Sequence, residues 1–185
     1  MSKRLYCPQC QFPLKVCLCE SIIPIDNSTR LIVLQHPSEV RMAKNTVRLL
    51  QLSLARVDVF SGESAKDFAS LQTLFQHSIT NTAVLYPHEQ SLPLEQHASI
   101  HNINTLIVID GTWRKAYKIW QLNPWLWSLP SFHFEQAPNS NYQRVAKQPN
   151  SLSTLEATAY ALSLIEQRNF QGLNQLQQAR QQKGF

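Results

Sequence analysis

Five short, mostly apolar runs set the limits on what this chain can fold into: Leu31–Leu34, Val57–Phe60, Ala83–Tyr86, Leu106–Ile109 and Ser131–Phe134. Each is of strand length, and each is separated from the next by enough residues for a helix. Short apolar strands that alternate with helices predict an α/β fold, a mainly parallel sheet with helices on both faces. The intervening patterns place helices over 38–52, with Val40, Ala43, Val47 and Leu50 on one face, over 65–77, from Asp110 to near Asn123-Pro124, and from Ser153 onward. Only four glycines are present, and neither GxGxxG nor GxxxxGK(S/T) occurs, which argues against a dinucleotide fold and a P-loop. The expected organisation is a cysteine-bearing segment over 1–25, one domain over 26–170, and a polar, Gln-rich tail over 171–185 read as a frayed helix.

The strand at 105–110 runs through Asp110-Gly111-Thr112-Trp113 directly into a helix. Open parallel sheets bind their ligands at such strand ends. Asp110 is the only acidic residue between Gln96 and Phe134, while Arg114, Lys115 and Lys118 follow it closely. One carboxylate among cations suits chemistry on an anionic polymer, and the cations should keep it ionised. The competing structural reading has Asp110 cap the helix and Trp113 join the core. Trp113, Tyr117 and Trp120, spaced i, i+4, i+7, read as a core stripe ahead of a base-stacking platform.

Composition supports a polyanionic partner without requiring one. Lys and Arg number 17 against 12 Asp and Glu, for a formal charge of +5 over 185 residues and a pI near 9.2. The hydrophobic content of 43% is enough for one core. The first residues carry no apolar leader, and the longest apolar runs are strand-sized, so a soluble, cytoplasmic protein with no membrane partner is expected.

All four cysteines, Cys7, Cys10, Cys17 and Cys19, fall within a C-x2-C-x6-C-x-C array. Two close thiol pairs joined by a short loop can close a tetrahedral four-thiolate site, so structural Zn²⁺ is expected. Four protein ligands leave no open coordination position for catalysis. The alternatives, two disulfides or four reduced thiols, fit a cytoplasmic chain and such clustering less well.

Further segments carry candidate contacts. His36-Pro37-Ser38-Glu39 ends the first strand, and Arg41, Lys44 and Arg48 recur at helical spacing as a phosphate-contact stripe or a solvated face. Leu85-Tyr86-Pro87 leaves the third strand. Arg144 and Lys147, with Tyr142, suit phosphate contact and base stacking in a loop. Ser153-Thr154-Leu155-Glu156 reads as a capping box, whose free backbone N–H groups also suit a carboxylate ligand.

The ordered set of the cysteine array, His36-Pro37-x-Glu39 with Asn45-Thr46, Leu85-Tyr86-Pro87, Asp110-x-Thr112-Trp113, and Arg144 followed by Ser153-Thr154-x-Glu156-Ala157 resembles the DTW-domain proteins, tRNA-uridine aminocarboxypropyltransferases. The resemblance runs over about residues 5 to 168, and no motif departs from the pattern. It implies a SPOUT-like fold with a trefoil knot in its C-terminal half. It also implies binding of S-adenosylmethionine by Leu85, Tyr86, Pro87, Thr112, Trp113, Ser153, Thr154 and Glu156. tRNA is the implied partner, with His36, Arg41, Lys44, Asn45, Arg114, Lys115, Lys118, Arg144 and Lys147 as candidate contacts. The implied reaction moves the aminocarboxypropyl group to uridine N3, with Asp110 as the base. Two rivals stand beside it: a SPOUT-type RNA methyltransferase and a non-catalytic zinc-containing RNA-binding module. Nothing in the sequence chooses between monomer and homodimer.

Overall fold

The computed structural model describes residues 5–77, 81–97, 99–141 and 152–184. Six strands form one parallel sheet: β1 (Arg30–Gln35), β2 (Val57–Ser61), β3 (Thr82–Leu85), β4 (Leu92–Pro93), β5 (Thr105–Asp110) and β6 (Ser131–His133). Their order is β2-β1-β5-β3-β6-β4, and every pairing is parallel. The helices are α1 (Val47–Ser53), α2 (Ala69–His77), α3 (Trp113–Leu122), α4 (Thr154–Glu166) and α5 (Gln171–Gln182). No helix among the described residues is long and apolar enough to cross a membrane.

Because successive strand residues point to opposite faces, the apolar runs divide between two cores. Leu31, Val33, Leu106 and Val108 pack with α1, α4 and α5, while Ile32, Leu34 and Ile107 pack with α2 and α3. The adjacent strands β1 and β5 therefore send their following helices, α1 and α3, to opposite faces of the sheet. Where neighbouring connections diverge in this way, a crevice opens at the carboxyl ends of the strands. Gln35 and Asp110 sit there, opposite each other in register.

Three sequence expectations are corrected. The helix expected from Ser38 begins only at Val47, since His36 Nδ1 accepts from Ser38 N–H and the side chain of Asn45 bridges Glu39 O and Val47 N–H. These local bonds compete with helix formation over 38–46, so Val40 lies exposed and Arg41, Lys44 and Arg48 do not form one helical stripe. The tail is a helix as expected, α5, but it is packed on the core and not frayed. Its polar sequence conceals a narrow apolar seam of Leu173 and Leu176, both fully buried, with Gln177 and Arg180 buried beside them. The cysteine segment also belongs to the larger core: Cys10, Phe12 and Leu18 are buried against it.

Arg180 closes that side of the molecule. Its guanidinium donates to Asn45 O at 2.7 Å and to Ala43 O, and lies over the Phe12 ring, 5.6 Å from the centroid. Arg48 covers the same ring at 4.3 Å and donates to Cys10 O. Both hold the cysteine segment through cation–π contact and hydrogen bonds.

Truncating a seam residue should be felt throughout the fold. Leu176→Ala is expected to lower unfolding free energy by about 2–5 kcal/mol, measured by urea denaturation; a change within error would mean that α5 is a dispensable tail.

Candidate active site and metal centre

The end of β5 delivers Asp110 into the crevice, 8% exposed. Its Oδ2 accepts from Gln35 Nε2 at 2.9 Å, and its Oδ1 accepts from Thr154 Oγ1 at 2.6 Å. The carboxylate thus joins β1, β5 and the first residue of α4. Asp110 does not cap the helix that follows it: the N-cap of α3 is Thr112, whose side chain makes no capping bond. The turn between them is tight, since a Cβ on Gly111 would lie 3.0 Å from Lys115 Cβ and 3.6 Å from His36 Cβ.

Next to Asp110, the N–H of His36 donates to Asp110 O at 2.9 Å. The His36 ring is buried, and Ser38 places both its N–H, at 3.2 Å, and its hydroxyl, at 2.9 Å, on Nδ1. The backbone donor requires a lone pair on Nδ1, so Nε2 carries the proton and offers it to Glu63 Oε1 at 2.5 Å. The other Glu63 oxygen takes Lys118 at 2.6 Å. Lys115 reaches Glu39 at 2.7 Å. Two of the three cations expected to surround Asp110 are therefore paired with other carboxylates, and Arg114 is exposed. Lys118 also holds the Glu63 carboxyl below the ordinary glutamate range, chiefly through its hydrogen bond.

The α4 start carries a complete capping box. Ser153 Oγ accepts from Glu156 N–H while Glu156 Oε2 accepts from Ser153 N–H at 2.8 Å. Glu156 also accepts from Ser140 Oγ and Asn141 N–H, and Ser153 donates to Gln177 Oε1. Ser153 and Glu156 thus serve the helix start and its neighbours, and Thr154 is the residue of the trio that reaches Asp110. Leu85 ends β3, and its pairing with Val108 of β5 brings Tyr86-Pro87 out at the same edge of the sheet. Tyr86 is buried and stacks on Trp120 at 4.9 Å between centroids. Of the expected aromatic core stripe, only Trp120 is buried; Trp113 and Tyr117 are 50% and 57% exposed. Arg41 and Lys44 are exposed, Asn45 braces the turn before α1, and Arg144 and Lys147 lie outside the described residues.

The four thiols are free, and their sulfurs all lie within 4.8 Å of one another, with Cys7–Cys19 at 3.5 Å and Cys10–Cys17 at 3.6 Å. Backbone N–H groups of Cys10 and Gln9 pull the Cys7 thiol down to about 6. Bonding to Cys17 and Cys7 pushes Cys19 up to about 12. A metal ion bound there would displace the thiol protons.

The DTW domain model matches residues 4–182, nearly the whole chain. The chain belongs to the DTW-domain family. It is similar to proteins named tRNA-uridine aminocarboxypropyltransferase 2 from Drosophila melanogaster (32% identity over 90% of this chain and 69% of the relative), Macaca fascicularis (33%, 91% and 59%) and Mus musculus (34%, 90% and 58%). This chain therefore spans less than two thirds of the length of the two mammalian relatives. No solved structure matches it. The three residues that name the family lie at the crevice: Asp110 at its centre, Thr112 in the turn with Gly111 before it, and Trp113 exposed on the first turn of α3.

Sequence reasoning missed Gln35 and Glu63. Gln35 is a polar residue closing an apolar strand, which was the one signal in the sequence; its register opposite Asp110 depends on strand order. Glu63, in the loop after β2, had no local pattern to mark it.

Because Glu63 titrates below its ordinary value, its contribution to stability is present above about pH 4.5 and is lost as pH falls through the depressed folded value. Lys118→Met should raise the Glu63 pKa toward 4.5 and remove that part of the acid sensitivity. Carboxyl NMR titration of both proteins checks this, and identical Glu63 titration curves would reject the pairing.

Proposed function

We propose that this chain transfers the 3-amino-3-carboxypropyl group of S-adenosylmethionine to N3 of a tRNA uridine, giving 3-(3-amino-3-carboxypropyl)uridine and methylthioadenosine. The observation that carries the reading is the bond from Thr154 to Asp110, which joins the D-x-T-W turn to the S-T-x-E-A helix start at the sheet's switch-point crevice. Membership of the family and the names of the relatives supply the reaction class. A knotted, SPOUT-like C-terminal half is part of the same proposal and rests on the family resemblance; a cytoplasmic location, expected from the strand-sized apolar runs, is proposed with it.

The residues present fit the donor. The first-turn N–H groups of α4, a 13-residue helix, suit the methionine carboxylate, while the Thr154 hydroxyl gives its proton to Asp110. Leu85, Tyr86 and Pro87, with Thr112 and Trp113, supply the remaining walls. When bound, the sulfonium makes the methionine γ-carbon electrophilic. Asp110, oriented by Gln35 and Thr154, is the group placed to take the uridine N3–H. Uridine N3 forms the new bond to carbon as the carbon–sulfur bond breaks, and the N3 proton passes to Asp110.

The four cysteines fit structural zinc. With Zn–S near 2.3 Å, tetrahedral sulfurs stand about 3.8 Å apart, close to the two short sulfur distances found here. Fresh protein is expected to contain about one zinc ion per chain, read by metal analysis. Zinc-free protein with a Cys10→Ser variant of equal stability would refute this assignment.

Asp110→Asn tests the base. The substituted amide still accepts from Thr154, and Gln35 can turn its carbonyl toward the new NH₂, so folding should be retained. Transfer to tRNA in a single turnover should fall by roughly a hundredfold or more, with donor affinity nearly unchanged by calorimetry. A wild-type rate would remove the assignment, and loss of donor binding would make Asp110 a positioning residue. Release of S-adenosylhomocysteine in place of methylthioadenosine would favour the methyltransferase reading.

A further inference from the structure

All four tryptophans of the chain, Trp113, Trp120, Trp125 and Trp127, fall within fifteen residues of sequence, beginning three residues after Asp110. From Gly111 to Phe134 the sequence carries no carboxylate side chain, while it carries Arg114, Lys115 and Lys118. Folding buries Trp120 but leaves Trp113, Tyr117 and Trp127 exposed by 50%, 57% and 52%. This is a large amount of aromatic surface to leave in water.

The exposed rings have a rigid backing. Trp113 and Tyr117 are one turn apart on α3 and share a side of the helix. Trp120, two turns beyond Trp113, stacks on Tyr86 at 4.9 Å and on His88 at 4.8 Å, and meets Trp127 at 6.5 Å. Trp127 is fixed by its indole N–H, which donates to Trp120 O at 3.0 Å. His88 is held in turn by Ser131 at 2.5 Å. On the other side of α3, Lys115 and Lys118 are drawn to Glu39 and Glu63. The helix thus separates a charged flank, paired with the protein's own carboxylates, from an aromatic flank that contains no acid and has Arg114 beside it.

We propose that this aromatic flank of α3, Trp113 and Tyr117 with Trp127, is a stacking ledge for unpaired RNA bases next to the target nucleotide. The proposal rests on the tRNA-modification reading and deepens it by naming the surface that receives the RNA strand. Flat rings accept any base face, and a neighbouring cation on a helix that itself carries no acid suits the backbone between stacked bases. Trp113 begins at the crevice edge, and Tyr117 stands about 5–6 Å further along the helix. A strand that presents one base to Asp110 is therefore led along α3 by its neighbours. An apolar protein partner would use the aromatic rings equally but would gain nothing from the exclusion of carboxylates along this stretch.

Stacking and charge are separable by salt. Full-length protein is titrated into fluorescently labelled, unmodified tRNA over a salt series. Tyr117→Ala should weaken binding about tenfold or more at every salt concentration, with the slope of log affinity against log salt unchanged. Tyr117→Phe, which keeps the ring, should bind like the unaltered protein. Arg114→Gln should instead flatten the slope by about one. Tyr117→Ala binding as tightly as the parent, while the parent still transfers the aminocarboxypropyl group, would overturn the ledge and leave the functional reading intact. A parent that binds tRNA with the Tyr117 signature but transfers nothing would do the reverse. Sedimentation showing a parent dimer that Tyr117→Ala dissociates would assign the surface to a second copy of the chain and also overturn the proposal.

Discussion

The contact on which the site depends is the pair of hydrogen bonds that converge on Asp110, one from Gln35 of β1 and one from Thr154 of α4. Three segments far apart in the chain, around residues 35, 110 and 154, meet in one buried carboxylate. A buried charge without partners is expensive, so the fold gains from the meeting and the site gains a carboxylate of defined direction. His36 adds a backbone bond to Asp110 O, and its ring is fixed by Ser38 and Glu63. The end of β1 and the end of β5 thereby form one polar unit at the switch point of the sheet.

The charges of the sequence are distributed differently from their linear order. Lys115 and Lys118 follow Asp110 closely, yet the helix turns them toward Glu39 and Glu63. Helical geometry explains this: positions five and eight residues past Asp110 leave α3 on the flank facing β1 and β2, and the carboxylates that receive them come from the loops after those strands. Exposed pairs of this kind contribute little to stability. Their effect here is to orient His36 and to leave the other flank of α3 without acids.

Much of the sheet was legible in the chain. All five apolar runs are strands, because four or more consecutive apolar residues of strand length have few other fates inside an α/β core. The capping box at Ser153 and the helix stop at Asn123-Pro124 also read directly, since both are local chemistry. The first-strand exit did not read, because Asn45 and His36 replace helical bonds with side-chain bonds that periodicity does not see. The docking of α5 on the core was concealed because its buried seam is only two leucines wide among glutamines. At the site, Asp110 and Thr154 carried motif signals, but their contact, and the partnership of Gln35, depend on strand order, which no local pattern contains. The exposure of Trp113 and Tyr117 likewise depends on which side of α3 the sheet covers.

Arg180 touches Asn45 and Ala43, and Lys183 reaches Cys17 O, so residues more than 130 positions apart close over the cysteine segment. During synthesis, the early part of the chain emerges well before the helix that covers it. Until α5 arrives, Phe12 and the thiols lack that cover, and the loop around Asn45 lacks the guanidinium that ties down its carbonyls. Contacts of such long sequence separation form late and slowly. Loading of the thiol cluster with metal would then have a natural interval during translation, after the knuckle has left the ribosome and before the last helix seals it.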